Sequence, residues 1–270
     1  MTKVIEVFLG PQITSKPSIQ PMTRGCEEDE MSAIAEKTVR DLALESSSAT
    51  RVFERLGIDY CCGGDKPLEE ACRAENLTLD EVQNALDEAQ RESDSAVVRD
   101  WQRAPLSELI AHINATHHRY VRQEITRLGP LFEKVCGVHG KSHPELPHIQ
   151  AVFRGLAQEL TQHMMKEEMI LFPYIVRMEE AVIQGEPVLP PPFGTVANPV
   201  AMMEHEHDSA GNALRAIHGA SNGYVAPDGA CTSYQALYRA LAEFEADLHQ
   251  HIHLENNILF PRALKMEHGA

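Results

Sequence analysis

The apolar positions after Pro105 recur at the three- and four-residue spacing of an amphipathic helix and predict four long helices. The predicted helices cover about 105–136, 147–182, 199–220 and 232–264. The segment 183–198 is rich in proline, so it cannot continue a helix and must cross over as a loop. The sequence therefore predicts an all-α fold with a four-helix bundle over residues 105–266.

The chain before the bundle shows shorter helical patterns. Over residues 36–92 these patterns are broken by glycine and proline, and Thr78 with Glu81 forms a capping box that starts the last of them. We therefore expect a small helical amino-terminal domain over 36–92. Residues 1–35 are expected to form a flexible extension, and the charged residues 93–104 are expected to form a linker.

The second and fourth predicted helices carry the same motif. The segments 163–173 and 251–261 each contain a His and a Glu four residues apart, followed by Ile-Leu-Phe-Pro. Residues four apart lie on one face of a helix, so each motif can aim an imidazole and a carboxylate at one point. The doubled motif suggests two metal ions. The Phe-Pro ends are expected to pack in the core and to bend the helices.

The polar residues of these motifs lie where apolar residues are expected. His163 and Glu167 continue the apolar stripe of the second helix, which runs on to Ile170, and His251 and Glu255 do the same in the fourth helix. An unpaired buried carboxylate costs on the order of several kcal/mol. A single His-x-x-x-Glu pair is usually exposed, but the duplication and the core position favour a shared metal site.

Helical spacing also selects one histidine from each of the other two helices. His118 aligns with apolar residues on its own face, whereas His117 aligns with a glutamate. In the third helix His207 lies in the apolar stripe, whereas His205 aligns with polar residues. His118 and His207 are therefore the predicted inward ligands.

The predicted ligands form two matched triplets, His118/His163/Glu167 and His207/His251/Glu255. Imidazole and carboxylate ligands without thiolates suit iron or manganese, with zinc as a further alternative. If both glutamates bridge the ions, each ion receives two histidines and two carboxylate oxygens. Octahedral iron then keeps open positions for an oxo bridge, water or a small diatomic ligand. His249 and His253 lie off the apolar stripe and are expected at the surface or in support of the ligands.

The vicinal cysteines Cys61 and Cys62 are followed by two glycines, and we expect them on a flexible, exposed turn. Thiolates on such a turn can exchange, bind metal or pass electrons. Spacing alone equally allows two small residues in an ordinary loop. The remaining cysteines are expected to be free thiols, with Cys26 exposed and the others buried as small apolar residues: Cys72, Cys136 and Cys231.

The composition excludes several classes of protein. The formal net charge is -16, which repels nucleic acid and anionic membranes. No apolar stretch approaches the length of a membrane span, and residues 1–9 are too short and too charged for a signal-peptide core. We therefore expect a globular protein of the cytoplasm that binds neither nucleic acid nor membrane.

Several motifs together resemble the repair-of-iron-centres (RIC) family of di-iron proteins. They are the two His-x-x-x-Glu segments with their Ile-Leu-Phe-Pro ends, the tripeptide 206–208 (Glu-His-Asp), and Asp-Tyr-Cys-Cys-Gly-Gly at 59–64. The resemblance covers roughly residues 36–265. It implies a hemerythrin-like four-helix bundle preceded by a small helical domain.

The resemblance also implies a non-haem di-iron site that helps to restore iron-sulfur clusters damaged by nitric oxide or peroxide, in the cytoplasm and often as a homodimer. The family's ligands fall on the six predicted residues, with Glu167 and Glu255 as the bridging carboxylates. The expected clients are damaged iron-sulfur proteins, and the expected small ligands are nitric oxide and oxygen species. His117, His205 and His253 remain open as alternative ligands.

Cys61 and Cys62 are then expected to accept or relay iron, or to reduce the metal centre. Two other classes of function remain open at this point. A hemerythrin-like carrier or sensor would bind oxygen or nitric oxide reversibly, and a fifth histidine ligand would favour it. A di-iron nitric oxide reductase would produce nitrous oxide. The metal loaded, the direction of iron flow, the electron donor and the oligomeric state are left open.

Overall fold

The computed structural model describes residues 34–93 and 99–269, and the regular structure of this part of the chain is helical. Within those ranges it contains no strand, only an isolated bridge between Thr38 and Pro67. The predicted all-α fold is confirmed. The predictions for Cys26 and for most of the 1–35 extension lie outside the described residues.

After helical residues at 34–36, the described part of the small amino-terminal domain contains four further helices. They are α1 (Val39–Glu45), α2 (Ser47–Leu56), α3 (Leu68–Ala74) and α4 (Leu79–Ser93). Gly57 ends α2 in the left-handed conformation that favours glycine. The capping box of α4 is present, because Thr78 Oγ1 accepts from the Glu81 amide at 3.3 Å and Glu81 Oε2 accepts from the Thr78 amide at 2.8 Å.

The two glycines after the cysteines are closely packed, and Gly64 has no room for a Cβ. A Cβ on Gly63 would lie 3.1 Å from Asp59 Oδ2, and a Cβ on Gly64 would lie 2.9 Å from the carbonyl oxygen of Tyr60. The Gly64 carbonyl also accepts from the Arg40 amide at 2.8 Å, which fastens the turn to the start of α1. The vicinal cysteines therefore sit in a compact loop that is fixed to its own domain.

We expect Phe53→Ala to destabilise the amino-terminal domain by about 3–5 kcal/mol, because it leaves a cavity at a fully buried position. Hydrogen exchange of the amides in 39–90 would measure the loss. Arg51→Ala, an exposed change on the same helix, is the control. If the amides of 39–90 were equally protected from exchange in the two variants, this domain would have no apolar core of its own.

The bundle consists of four long helices, three of which contain a π-helical segment. Helix α5 runs through Leu106–Ile113, Asn114–His118 (π) and Arg119–His139. Helix α6 runs through Glu145–Lys166, Glu167–Leu171 (π) and Phe172–Gln184. Helix α7 covers Ala197–Ala220, and α8 runs through Thr232–Leu254, Glu255–Leu259 (π) and Phe260–Glu267. Helix α5 packs on α8 and α6, and α6 packs on α7 as well as on α5.

The π-helical segments of α6 and α8 end at the Phe-Pro pairs. Proline lacks an amide and clashes with the carbonyl four residues earlier, which a wider π turn relieves. Each π-helical segment adds one residue to its turn, so the position that faces the core moves one residue further along the chain. Ile170 is consequently 49% exposed and Leu171 is buried, so the prediction that Ile170 points inward is wrong.

The bundle core consists of two apolar clusters, one on each side of a buried polar layer. On α5, Ile113 belongs to one cluster and Val121 to the other, and His118 lies between them. The Phe-Pro phenylalanines close the layer, since Phe172 stacks on His118 and Phe260 stacks on His207. The polar residues therefore lie in a site enclosed by apolar packing. None of the helices in the described ranges is both long and apolar enough to cross a membrane.

Candidate metal centre

The polar layer of the bundle contains the six predicted ligands, and each long helix contributes at least one of them. Helix α5 supplies His118, α6 supplies His163 and Glu167, α7 supplies His207, and α8 supplies the remaining pair. All six residues are buried, with at most 3% of their surface exposed to solvent. The spacing on each helix thus brings all of them to one level of the core.

The six residues form two groups that share both glutamates. Four donor atoms from His118, His251, Glu167 and Glu255 lie within 4.8 Å of one another, and so do four from the same glutamates with the other two histidines. The Nε2 atoms of His118 and His251 are 3.1 Å apart. Each group therefore presents two imidazoles and two carboxylates, and each glutamate is placed to serve both.

The histidines pair differently from the triplets proposed from the sequence. His163 Nε2 lies 3.1 Å from His207 Nε2, on α7, whereas the triplet had joined His163 with His118. The reason is the packing of the bundle, because α6 lies against α7 and α5 lies against α8. The triplets do not describe the two groups. Each triplet instead describes the two histidines that contact one glutamate, since His118 Nε2 and His163 Nε2 lie 3.3 and 3.4 Å from Glu167 Oε2.

Three of the four carboxylate oxygens of the layer have no hydrogen bond, and the fourth, Glu255 Oε1, lies 3.1 Å from His251 Nε2. Both side-chain oxygens of Glu167, and Oε2 of Glu255, are buried without a hydrogen bond. A buried carboxylate in this condition is costly unless a cation lies against it. The unpaired oxygens, the converging imidazole nitrogens and the lack of thiolates fit a pair of ions of the iron or manganese type.

Two of the ligand histidines are oriented by carboxylates on their outer nitrogens. His118 Nδ1 lies 2.7 Å from Glu168 Oε1, and His163 Nδ1 lies 2.9 Å from Glu206 Oε2. Such contacts place the proton on Nδ1 and leave Nε2 free to bind a metal. The two carboxylates also pair with basic side chains, which are Arg122 and Lys166.

The other two histidines have different surroundings. His207 Nδ1 lies 2.7 Å from the side-chain oxygen of Asn256. His251 Nδ1 is buried without a hydrogen bond, and the ring of His117 stacks on His251 with 5.6 Å between centroids. His117 in turn bonds Asp247 at 3.0 Å.

Sequence reasoning assigned no role to Glu168, Glu206 or Asn256. Each of them directly follows or precedes a ligand in the sequence. The need of a metal-bound histidine for an acceptor at its second nitrogen, combined with that adjacency, is a signal that could have found them.

Charges in the layer shift the pKa values of its members in opposite directions. Burial by itself would lower the pKa of His163, but the carboxylates of Glu167 and Glu255 raise that pKa to about 9. Burial favours the neutral form of Glu255, yet His251 and His207 hold its pKa well below the usual value. Without metal the layer therefore contains imidazolium-carboxylate pairs, and metal binding at these atoms displaces protons.

The histidines left open as alternative ligands lie outside both groups. His117 is buried but turned toward Asp247, and His205 is exposed on the outer face of α7. His253 is buried, and Asn257 donates to its Nδ1 at 2.8 Å. His249 lies at the contact with the amino-terminal domain, where its Nδ1 is 2.9 Å from Glu54.

The vicinal cysteines lie against the bundle next to this layer. Cys61 is only 4% exposed and Cys62 is half-buried, so the predicted exposed turn is wrong for Cys61 because bundle helices cover the loop. Their sulfurs are 3.8 Å apart, and Asp59 Oδ1 accepts from both cysteine amides. The hydrogen bond to Cys62 and burial raise the pKa of the Cys61 thiol.

Asp59, Cys61 and Cys62 also bring donor atoms within 4.8 Å of one another, which makes a second, smaller group able to hold a cation. A cavity of about 300 Å³ adjoins Asp59 and Cys61 and is further lined by Glu245 and His249. The cysteines therefore have a ligand geometry, and Cys61 has an open space beside it.

The other described cysteines are free thiols, as predicted. Cys72 is buried and Cys136 is half-buried, but Cys231 is exposed, so its predicted burial is wrong. Cys231 immediately precedes α8, and its sulfur lies 3.1 Å from His139 Nε2. A position just before a helix at the end of a bundle leaves the side chain in solvent.

The fold and the shared His/Glu layer define a hemerythrin-like cation-binding bundle. The hemerythrin HHE cation binding domain matches residues 109–263, and a domain of unknown function (DUF542, ScdA_N) matches residues 35–90. The chain belongs to the hemerythrin-like family of YtfE-type iron-sulfur cluster repair proteins, as its motifs indicated.

Two curated relatives illustrate the similarity. The iron-sulfur cluster repair protein YtfE of Pectobacterium atrosepticum is 38% identical over 236 residues, which are 87% of this chain and 100% of the relative. The protein of the same name from Yersinia pseudotuberculosis is 39% identical over 227 residues, which are 84% of this chain and 96% of the relative. The match thus spans both domains.

Proposed function

We propose that this chain repairs damaged iron-sulfur clusters with a pair of non-haem iron ions held in the bundle. The observation that carries the proposal is the buried layer in which two carboxylates, three of whose four oxygens have no hydrogen bond, are shared by two pairs of histidines. The relatives that carry the name iron-sulfur cluster repair protein support the same function.

The proposed ligands are His118 and His251 for one ion and His163 and His207 for the other, with Glu167 and Glu255 bridging. Nitrogen and oxygen donors without thiolate favour iron over structural zinc. When bound, the two ions supply open coordination positions for nitric oxide or oxygen species. The enclosing apolar clusters keep bulk water away from these positions.

Cluster repair requires that iron reach a client, and we assign its transfer to Cys61 and Cys62. Their sulfurs and the Asp59 carboxylate form the second cation-binding group, and Cys62 Sγ lies 3.8 Å from the carbonyl oxygen of the ligand His207. Thiolates are the ligands of iron-sulfur clusters, so a thiol pair can hold iron in transit to one. Iron is the cargo in this step.

The geometry favours repair over a reversible carrier. In the described residues, the two groups together contain four histidines and no fifth, which is the feature that would favour an oxygen carrier. A nitric oxide reductase is the other candidate, and gas analysis after a single turnover would reveal nitrous oxide if that reaction took place.

The test uses an iron-loaded protein and a hydro-lyase whose iron-sulfur cluster has been damaged by nitric oxide. We expect the native chain to restore hydro-lyase activity. We expect Cys61→Ser/Cys62→Ser to keep its bound iron but to lose most of the reactivation, because serine is a poor iron ligand in transit. Cys72→Ser, which changes a buried thiol of the same domain, is the control.

Full reactivation by the double variant would show that repair does not need the two cysteines. It would not contradict the proposed metal site. We place the protein in the cytoplasm, where its thiols stay reduced. Its proposed partners are damaged iron-sulfur proteins, and association as a homodimer is a further proposal that sedimentation would test.

A further inference from the structure

The carboxylate of Asp59 holds the cysteine loop with one oxygen and faces a positive charge with the other. Its Oδ1 accepts from the amides of Cys61 and Cys62 at 3.2 and 3.0 Å. Its Oδ2 lies 3.5 Å from Nη1 of Arg215, a residue of α7. The contact joins the two domains, because Asp59 belongs to the amino-terminal domain and Arg215 belongs to the bundle.

A glycine one turn earlier on α7 leaves room for this arginine. A Cβ on Gly211 would lie 3.6 Å from Arg215 Nη1 and 3.8 Å from Cys62 Sγ, so the guanidinium and the thiol border the same space. Nη2 of Arg215 also donates to Asn212 Oδ1 at 3.0 Å, which keeps the side chain along the helix. The charge of Arg215 therefore lies beside the second cation-binding group.

The ion pair between Arg215 and Asp59 is open to solvent. The two side chains are 59% and 37% exposed. Exposed pairs of this kind are weak and are screened by dissolved ions. The cavity of about 300 Å³ that borders Asp59 and Cys61 is also lined by Arg215, so a cation that reaches the group through this cavity passes the guanidinium.

A cation bound by Asp59, Cys61 and Cys62 competes with Arg215 in two ways. It needs the Asp59 carboxylate, which the guanidinium shares, and the positive charge of the guanidinium repels it. Arginine stays protonated in proteins, so this competition does not depend on a change of protonation.

We propose that Arg215 weakens the hold of the Asp59/Cys61/Cys62 group on its cation, so that iron passes on to a client instead of remaining on the thiols. The inference rests on the proposed function, because it takes this group to be the place where iron stays in transit. Arg215 acts through its charge and through the Asp59 carboxylate, and is therefore a positioning residue and not a ligand.

The experiment titrates the protein with Co²⁺ under argon at fixed pH and follows the near-ultraviolet absorption of thiolate-to-cobalt charge transfer. The two His/Glu groups of the bundle contain no thiolate, so Co²⁺ bound there does not contribute to this absorption. Cys61→Ser/Cys62→Ser gives the contribution of all other thiols, which is subtracted. The absorption is plotted against the concentration of free Co²⁺.

We expect Arg215→Gln to lower the free Co²⁺ concentration at half-saturation about two- to fivefold, the range set by the strength of an exposed ion pair. Damage to the loop would weaken binding, so a gain in affinity has no such structural explanation. Arg215→Lys keeps the charge and should stay near the native value. Arg239→Gln, which removes an exposed arginine elsewhere on the bundle, is the matched control for net charge and should not shift the value.

The results separate this inference from the proposed function. An unchanged or higher half-saturation concentration in Arg215→Gln would overturn the role of Arg215 and leave the thiol site standing. Equal tightening by Arg239→Gln would assign the effect to net charge and overturn the role of the pair with Asp59. If neither the native chain nor Arg215→Gln showed the thiolate absorption, Cys61 and Cys62 would hold no cation, and the proposed transfer of iron would itself fail.

Discussion

Glu255→Ala is expected to lose iron from both positions of the centre, because its carboxylate is shared by both groups. Replacing residues that only orient a ligand lowers metal affinity about 10–100-fold, so removal of a bridging ligand should cost more than about 100-fold at each position. Competition with a chelator, followed by elemental analysis, would measure the loss.

His118 belongs to one group only, so His118→Ala should keep about one ion per chain under the same conditions. The matched control for Glu255→Ala is Glu245→Ala. Glu245 lies on the same helix, α8, and its buried carboxylate bonds His218 outside the polar layer. Loss of a single ion from Glu255→Ala, or of both from Glu245→Ala, would contradict the shared-carboxylate centre.

Removal of the metal is expected to lower the thermal midpoint by roughly 10–20 °C. A ligand at 100 times its dissociation constant stabilises a protein by about 2.7 kcal/mol, and two such ions give about 5 kcal/mol. For a chain of this size each kcal/mol shifts the midpoint by about 2–4 °C. Calorimetry of the chelated and the iron-loaded protein would measure the shift.

The comparison needs a variant that weakens the fold without touching the metal layer. Phe53→Ala should lower the stability of the amino-terminal domain in both states and leave the metal-dependent shift of the bundle intact. Glu255→Ala should show almost no shift on addition of iron. A midpoint that is independent of metal in the native chain would mean that the layer does not bind the ions tightly.

The helices of the bundle and the level at which the ligands meet follow from local sequence patterns. Helical periodicity reports which face of each helix is apolar, and the polar residues His118 and Glu167 on such a face are visible without coordinates. The same reasoning separated His207 from His205. The capping box at Thr78 is equally local, because both of its hydrogen bonds lie within one turn.

Tertiary packing sets which helices are neighbours at the polar layer and therefore which histidines pair. Periodicity gives the inward face of a helix but not its partner, so His163 could not be matched to His207 from the sequence. The π-helical turns that expose Ile170 also depend on packing around the Phe-Pro pairs. The burial of Cys61 and the hydrogen bond from Asn256 to its carbonyl oxygen arise where the two domains meet. Contacts between residues so distant in sequence cannot be read from helical periodicity.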